Sequence, residues 1–441
     1  MTDSLAEPVR QLLERGVRMS APHMVYVDPA VPPNAVAPGV VLHPGTRLTG
    51  ATISIGPECV IGGEAPATVA DCQLGRGVQL AGGYFNESTF LDGARMGSGG
   101  HVRPGTLLEE GASGAHAVGF KQTVLLPFVT TGSLVNFCDC LMAGGSDAHR
   151  HSEVGSSYIH FNFTPHGDKA TASLIGDVPR GVMLEGAPIF LGGQGGLVGP
   201  ARIGFGTVIP AGVVWRGDVL AERRLVEAGR EGQGVGRDDD SAAGRSHGPV
   251  VGRHDDPMVG WNDSPSAASQ SFQMGAYRAI DRIVRNNLIY IGNIRALTAW
   301  YLLVRRPFME ADPYTHACLT GALARLEHIL GERIRRLADL AERMLPSIKL
   351  VTAASGGTVT PYYVAQQLVL ADGWPSMAAH LARDPLESNA GASGRQELLA
   401  ALELGDRGDY LTTVRSLAPA AKAAGTAWLQ AIVDEVAHVW H

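Results

Sequence analysis

Between residues 31 and 62 the apolar positions recur every six residues. Val31, Ala37, His43, Thr49, Ile55 and Ile61 are each followed by a proline or glycine, in the order Pro32, Pro38, Pro44, Gly50, Gly56, Gly62. Val36, Leu42, Leu48 and Val60 recur at the ends of the hexads, and the period returns at Leu74-Gly75, at Met96-Gly97, and at Leu197, Ile203, Ile209 and Trp215. A hexad of this kind is one short flat strand and one corner of a triangular coil. The apolar residue points into a narrow prism, and the corner takes a residue without bulk where the backbone crowds or φ is positive. The pattern predicts a left-handed parallel β-helix over residues 23–220, of roughly ten or eleven coils of about eighteen residues each. Before it, residues 1–22 carry Val9, Leu12 and Leu13 on one side of a short helix, which is expected to cap the open end of the prism.

Beyond the solenoid the pattern changes twice. Residues 221–270 lose the repeat and gain Gly, Asp, Ser and Arg, the composition of a linker or mobile loop. From 271 the period becomes helical: Tyr277, Ile280, Val284, Leu288, Ile291, Ile294 and Leu297, then Leu319, Leu323, Leu326, Leu330, Ile334 and Leu337. Residues 271–441 should form a helical bundle, so the fold class expected is β plus α, a β-helix followed by an all-α domain. On the first of these helices Arg282, Arg285, Arg295, Arg305 and Arg306 make either a solvated basic face or an anion site leaning over the prism.

Composition narrows the partners. A net charge of -7 argues against a polyanion, so nucleic acid is a poor candidate. Five cysteines without a CxxC pair do not make a disulfide framework or a zinc ribbon, and they fit a reducing cytoplasm. The N-terminal segment mixes acids and bases where a signal peptide needs an apolar run, and no later segment reaches about 18 uninterrupted apolar residues. No membrane association is expected.

Residues 158–177, YIHFNFTPHGDKATASLIGD, gather chemistry in a chain otherwise rich in Gly, Val, Leu and Ala. As a strand the segment alternates, with Ile159, Phe161 and Phe163 on one side and Tyr158, His160, Asn162 and Thr164 on the other. The apolar side is expected to face the core and the polar side to be open to a ligand.

The runs RGVRMSAPHMVYVDPAV, IGPECVIGG, ARMGSGGHVRPGTLLEEGASGAHAVGFK and TPHGDKATASLIGD carry a resemblance. Over residues 15–220 the chain resembles the acetyltransferase half of the bifunctional N-acetylglucosamine-1-phosphate uridyltransferase/glucosamine-1-phosphate acetyltransferase family, also called UDP-N-acetylglucosamine pyrophosphorylase. The resemblance implies a homotrimer with acetyl-CoA, or another acyl-CoA, and a sugar phosphate bound between subunits. It places Arg103 and Lys121 on the sugar 1-phosphate, and two cations on one dianion are sound phosphate chemistry. It sets Gly167 and Lys169 beside the substrate and Arg216 on a coenzyme A phosphate, and Asn162 on the polar side of the strand is a further candidate for the substrate. Two departures stand out. Asn136 lies near the family's catalytic His position and cannot take a proton from an ammonium, and the Gly-rich nucleotide loop of the uridyltransferase half does not occur in these 441 residues.

His149, His151, His160 and His166 fall within eighteen residues. His160 or His166 could replace the missing general base, since imidazole titrates near neutrality. Alternatively His149 or His151 with His160 and His166 could bind zinc as in a carbonic anhydrase-type hydratase, although that family's HxxxxH spacing is not present. In a third reading they are polar contacts in a corner or between subunits. CDC at 138–140 is expected to put both thiols on one face of a strand. The function expected is acyl transfer from a coenzyme A thioester to a sugar phosphate or nucleotide sugar. The alternative is a non-catalytic trimeric scaffold that binds a sugar nucleotide.

Overall fold

A computed structural model describes residues 5–226, 273–354, 362–384, 386–387, 389–404 and 409–440. The segment expected as a linker lies outside the described residues from 227 onward. Residues 18–216 form a parallel β-solenoid with three faces. One face stacks ten two-residue strands, from Arg18–Met19 to Val208–Ile209. The other two faces join into one sheet because Gly119–Leu125 and Asn136–Met142 continue unbroken around the corner between them.

The hexad periodicity is the register of this stack. Leu42, Ile61 and Leu80 pair in line on the first face, and Phe85, Val102, Phe120 and Phe137 on the second. On the third face the line is Ile55, Leu74, Phe90, Leu108, Leu125, Met142, Ile175 and Ile203. All of these are buried, so these apolar positions contribute their side chains to the bore, whereas Val60 is half-buried on the outward side of its strand. Positive φ at Asp71, Glu87, Gln122 and Asp139 marks one corner, where Gly50 and Gly105 occupy the equivalent places. The helix Glu7–Glu14 (α1) buries Val9 and Leu12 at the start of the stack.

The helical region is a layer laid along the third face. It comprises, after the single turn Val178–Gly181 (α2) inside the solenoid, α3 (Ile280–Trp300), α4 (Arg306–Met309), α5 (Pro313–Glu342), α6 (Met344–Ala354), α7 (Tyr362–Leu381), α8 (Ala392–Leu404), α9 (Tyr410–Ser416) and α10 (Pro419–Ala437). The outward row of the third face, Gln73, Thr89, Leu107, Val124, Leu141 and Leu174, is therefore buried as well. α5 lies along it, burying Leu319, Ala322, Leu326 and Ile329. At Gly321 the backbone comes so close that an added Cβ would meet Thr89 Oγ1 at 2.6 Å and the Gln73 amide.

The arginines of α3 and the turn after it divide: Arg285 and Arg306 lie at the surface paired with Asp281 and Glu310, while Arg282, Arg295 and Arg305 are drawn onto other partners. A π-helical turn, Tyr301–Arg305, swings Arg305 inward, where it makes two bonds to Glu110, of 2.6 and 2.8 Å, and lies over the rings of Tyr301 and Tyr410. Tyr301 donates to the neighbouring Glu109 at 2.7 Å. Arg295 is spent on the carbonyls of His380 and Arg383, and Arg282 on that of Pro200. Burial of so many cations requires such partners.

Candidate functional site

The second face carries two outward rows beside its corner with the third. One row runs Tyr84, His101, Gly119, Asn136, Ile159, Gly196 and Val214. Two residues along each strand lies the other: Arg103, Lys121, Cys138, Phe161, Val198 and Arg216. Arg103 and Lys121 are thus on adjacent rungs, about 4.8 Å apart in the stack. Neither makes an ion pair with a carboxylate among the described residues. Arg103 spends Nη2 on Cys138 Sγ at 3.5 Å, while its Nε is buried with no hydrogen-bond partner. Burial and then the nearby Asp139 charge push the Cys138 thiol up, against the lowering by Arg103 and Lys121, so it stays protonated at neutral pH.

The corner after this row is closed by the helical layer. Arg333 of α5, fully buried, donates from Nη2 to Asp139 Oδ1 at 2.8 Å and Gln122 Oε1 at 3.0 Å, and from Nη1 to the Lys169 carbonyl at 3.3 Å. The Asn162 side chain reaches the same Asp139 carboxylate. Gln122 also meets His328 Nε2 at 3.4 Å. Four of the residues expected at a substrate site, Arg103, Lys121, Asn162 and Lys169, are therefore gathered around one corner. Gly167 is exposed at the tip of the same loop, with φ +71° and open space where a Cβ would be. Arg216 is exposed on the same row but four rungs beyond Lys121, roughly 19 Å away.

The histidines are placed otherwise than the alternation suggested. His160 is 3% exposed and points into the bore, together with Tyr158, whereas Ile159, Phe161 and Phe163 point out. Register decides this: Ile159 pairs with outward Asn136, and a one-residue slip would reverse every side chain of the strand. The edge of the Tyr158 ring packs on Phe137 in the bore, with centroids 6.3 Å apart. His160 Nε2 lies 2.8 Å from Ser173 Oγ, and burial lowers its pKa to about 4. A sealed, weakly basic imidazole cannot reach a ligand on the outside, so His160 does not serve as the expected exposed base.

His166 is half-buried in the loop, its ring 4.5 Å from that of Tyr277, and its Nδ1 accepts the Gly275 N–H at 3.0 Å. That bond leaves Nε2 carrying the proton, a donor rather than a base. His149 and His151 sit on a two-stranded hairpin, Gly145–Asp147 with Arg150–His151, away from both. Among the described residues no three His, Cys, Asp or Glu side chains are placed to hold a metal ion, so the four histidines do not assemble as a zinc site. Cys138 and Cys140 lie on two faces rather than one, because Asp139 between them, at φ +60°, turns the corner.

His101 was not singled out from the sequence. It is exposed, stacks on Tyr84 at 5.4 Å, and lies two residues before Arg103, which directly follows its strand Gly100–Val102. The signal was in the HVR alternation, with Val102 inward. Gly119 on the next rung leaves a notch between His101 and Asn136, its nearest neighbour atoms to a built Cβ being Asn136 at 3.8 Å and the His101 carbonyl at 4.0 Å.

The chain is similar to several curated proteins. Bifunctional protein GlmU of Pelobacter propionicus is 29% identical over 228 residues, 51% of this chain and 44% of that protein. GlmU of Thermotoga petrophila is 26% identical over 212 residues, 48% of this chain and 42% of its own. GlmU of Rhodococcus jostii is 27% identical over 223 residues, 51% and 40%. The chain thus spans less than half the length of these relatives. No family model matches it. A solved Arabidopsis UDP-N-acetylglucosamine acyltransferase aligns over 43% of this chain and 72% of its own, at 16% identity and a TM-score of 0.20. At that score the strand pairing, and not the alignment, establishes the fold. Among the described residues no helix is long and apolar enough to cross a membrane.

Proposed function

We propose that the chain is an acyltransferase of the UDP-N-acetylglucosamine pathway that uses a coenzyme A thioester and a sugar phosphate or nucleotide sugar, and works as a homotrimer in the cytoplasm. The observation that carries the reading is the pair Arg103 and Lys121, two adjacent cations that make no ion pair with a carboxylate among the described residues. A phosphate dianion satisfies both cations. The similarity to GlmU proteins supports the same chemistry.

In this reading His101 is the base. It stands about 7 Å along the strand from Arg103, a span that suits a phosphate held at one end and an amine on the neighbouring sugar carbon at the other. The amine gives its proton to the imidazole as its nitrogen attacks the thioester carbonyl, the carbon–sulfur bond breaks, and coenzyme A leaves as the thiol with that proton. The row from Arg216 through Val198 and Phe161 to Cys138 is an apolar track with a cation at its far end, which suits a pantetheine arm and a nucleotide phosphate. Ile159, Phe161, Phe163 and Leu134 are exposed on the same side, an apolar strip suited to a second copy of the chain.

The test is calorimetric binding of glucosamine 1-phosphate combined with thiol release from acetyl-CoA. Arg103→Ala and Lys121→Ala should each weaken sugar-phosphate binding tenfold or more, by roughly the 1.5–3 kcal/mol of a charge-assisted bond. His101→Asn should retain binding and lose thiol release. Binding without thiol release in the unaltered protein would favour the sugar-nucleotide-binding scaffold, a reading supported by Asn136 and by the engagement of His160 and His166. Equal binding by the Arg103 and Lys121 variants would overturn the site.

A further inference from the structure

The loop between the strands Ile159–Phe161 and Ser173–Ile175 carries Asn162, His166, Gly167 and Lys169. Several of its anchors come from the helical layer rather than from neighbouring coils. Asn287 Nδ2 donates to the Ala170 carbonyl at 2.9 Å, Arg343 Nη1 to the His166 carbonyl at 3.2 Å, and Arg333 Nη1 to the Lys169 carbonyl at 3.3 Å. Arg333 is special among them because its other arm grips the solenoid. Gln122 and Asp139 directly follow Lys121 and Cys138, and both hold positive φ, +48° and +60°. An L-residue at such an angle is strained, and a buried hydrogen bond from one fixed guanidinium is what keeps each corner side chain in place.

We propose that Arg333 is a positioning residue of the anion site: by tying the Gln122 and Asp139 corners to the Lys169 carbonyl, it sets the direction of Lys121 and the distance from Lys121 to Lys169. The inference rests on the reading that Arg103 and Lys121 bind a phosphate. It assigns the helical region a part in ligand binding, since Arg333 adds to the Asn162–Asp139 contact a second tie between the loop and the row. The three acceptors are met from two nitrogens held apart on one plane, Nη1 and Nη2, whereas an ammonium gathers its three donors on a single nitrogen.

Removing Arg333 alone strands a buried Asp139, so the informative variant is Arg333→Met with Asp139→Asn, which leaves no unpaired buried charge. Three measurements bear on it: cooperative thermal melting, amide hydrogen exchange of residues 162–172, and calorimetric affinity for glucosamine 1-phosphate with and without Lys121→Ala. The expected result is a folded protein whose loop amides exchange faster than in the parent while those of residues 41–96 are unchanged. Affinity should fall about tenfold or more, and Lys121→Ala should cost much less in this background than in the parent, the non-additivity of coupled residues. Arg333→Lys should not rescue. Unchanged exchange together with additive losses would overturn the positioning role and leave the phosphate site standing. Full rescue by Arg333→Lys would show that charge alone matters and would overturn it too. A parent protein that binds no sugar phosphate would remove the site reading and this inference with it.

Discussion

His160 Nε2 and Ser173 Oγ lie 2.8 Å apart inside the bore, one on the second face and one on the third, so a single hydrogen bond spans the coil at the level where its corner opens into a loop. Burial is what lowers the His160 pKa, from 6.5 to about 4. The unfolded chain therefore binds a proton there that the folded chain does not, between these two values. This part of the stability is fully present above pH 6.5 and is lost progressively as pH falls through about 4. His160→Phe should remove that acid dependence in urea unfolding measured across pH, and should leave sugar-phosphate binding as it was.

Glu109 titrates with the opposite sign. Burial raises its pKa from 4.5 to about 7, with Arg305 opposing and Glu110 adding. The folded chain holds the extra proton between those values, so this part of the stability is present below 4.5 and is lost as pH rises through about 7. Glu109→Gln keeps an acceptor for the Tyr301 hydroxyl and should gain stability over the parent above pH 7, by at most about 3 kcal/mol at roughly 1.4 kcal/mol per pK unit. The two groups oppose one another over the shared range. Each single variant should expose the slope of the other, and flat profiles in both would contradict the assignments.

The three faces of the solenoid differ in how plainly the sequence announces them. Hexads 31–62 hold a small residue beside a core residue at close to six-residue spacing, with one slip between Leu48 and Ile55, which is why coil count and strand direction could be read there, and the change to helix after 271 is legible in its own 3–4-residue spacing. The covered third face had a signal that went unused: Leu107-Leu108, Val124-Leu125 and Leu141-Met142 are consecutive apolar pairs, as strands buried on both sides require. His160 could not be placed from its own segment, because polar and apolar residues alternate there with either parity and only the pairing of Ile159 with Asn136 chooses. The Arg333 contacts join residues up to 211 positions apart. No periodicity encodes such a contact.

The close approach at Gly321 gives a direct test of the packing between α5 and the solenoid. Gln73 and Thr89 there are buried and bonded to each other at 3.0 Å, so they have little room to retreat. Gly321→Val should destabilise the protein by about 1–3 kcal/mol through overpacking, read as a lower denaturation midpoint. A substitution at exposed Gly331, which has open space at its Cβ, should not.

Phe161 and Phe163 are 37% and 71% exposed. If a second copy of the chain covers them, Phe161→Glu should convert trimer to monomer in sedimentation equilibrium without lowering the melting temperature of the isolated subunit. A trimer that survives this change must use another surface.

α5 reaches from the first coils to the loop. Near its start Tyr314 donates to the Asn34 carbonyl at 3.4 Å, and just past its end Arg343 meets His166. Its 30 residues measure about 45 Å at 1.5 Å per residue, so three residues of helix advance almost as far as one coil. The two lattices act as the scales of a vernier, and Gly321, His328 and Arg333 are the marks that coincide with Thr89, Gln122 and Asp139. A solenoid can otherwise lengthen or shorten by duplicating or dropping a repeat. Here one coil inserted between Asn34 and Asp139 would carry every later mark out of step by a full division, so a change of length in this stretch would have to be matched by a change in the helix.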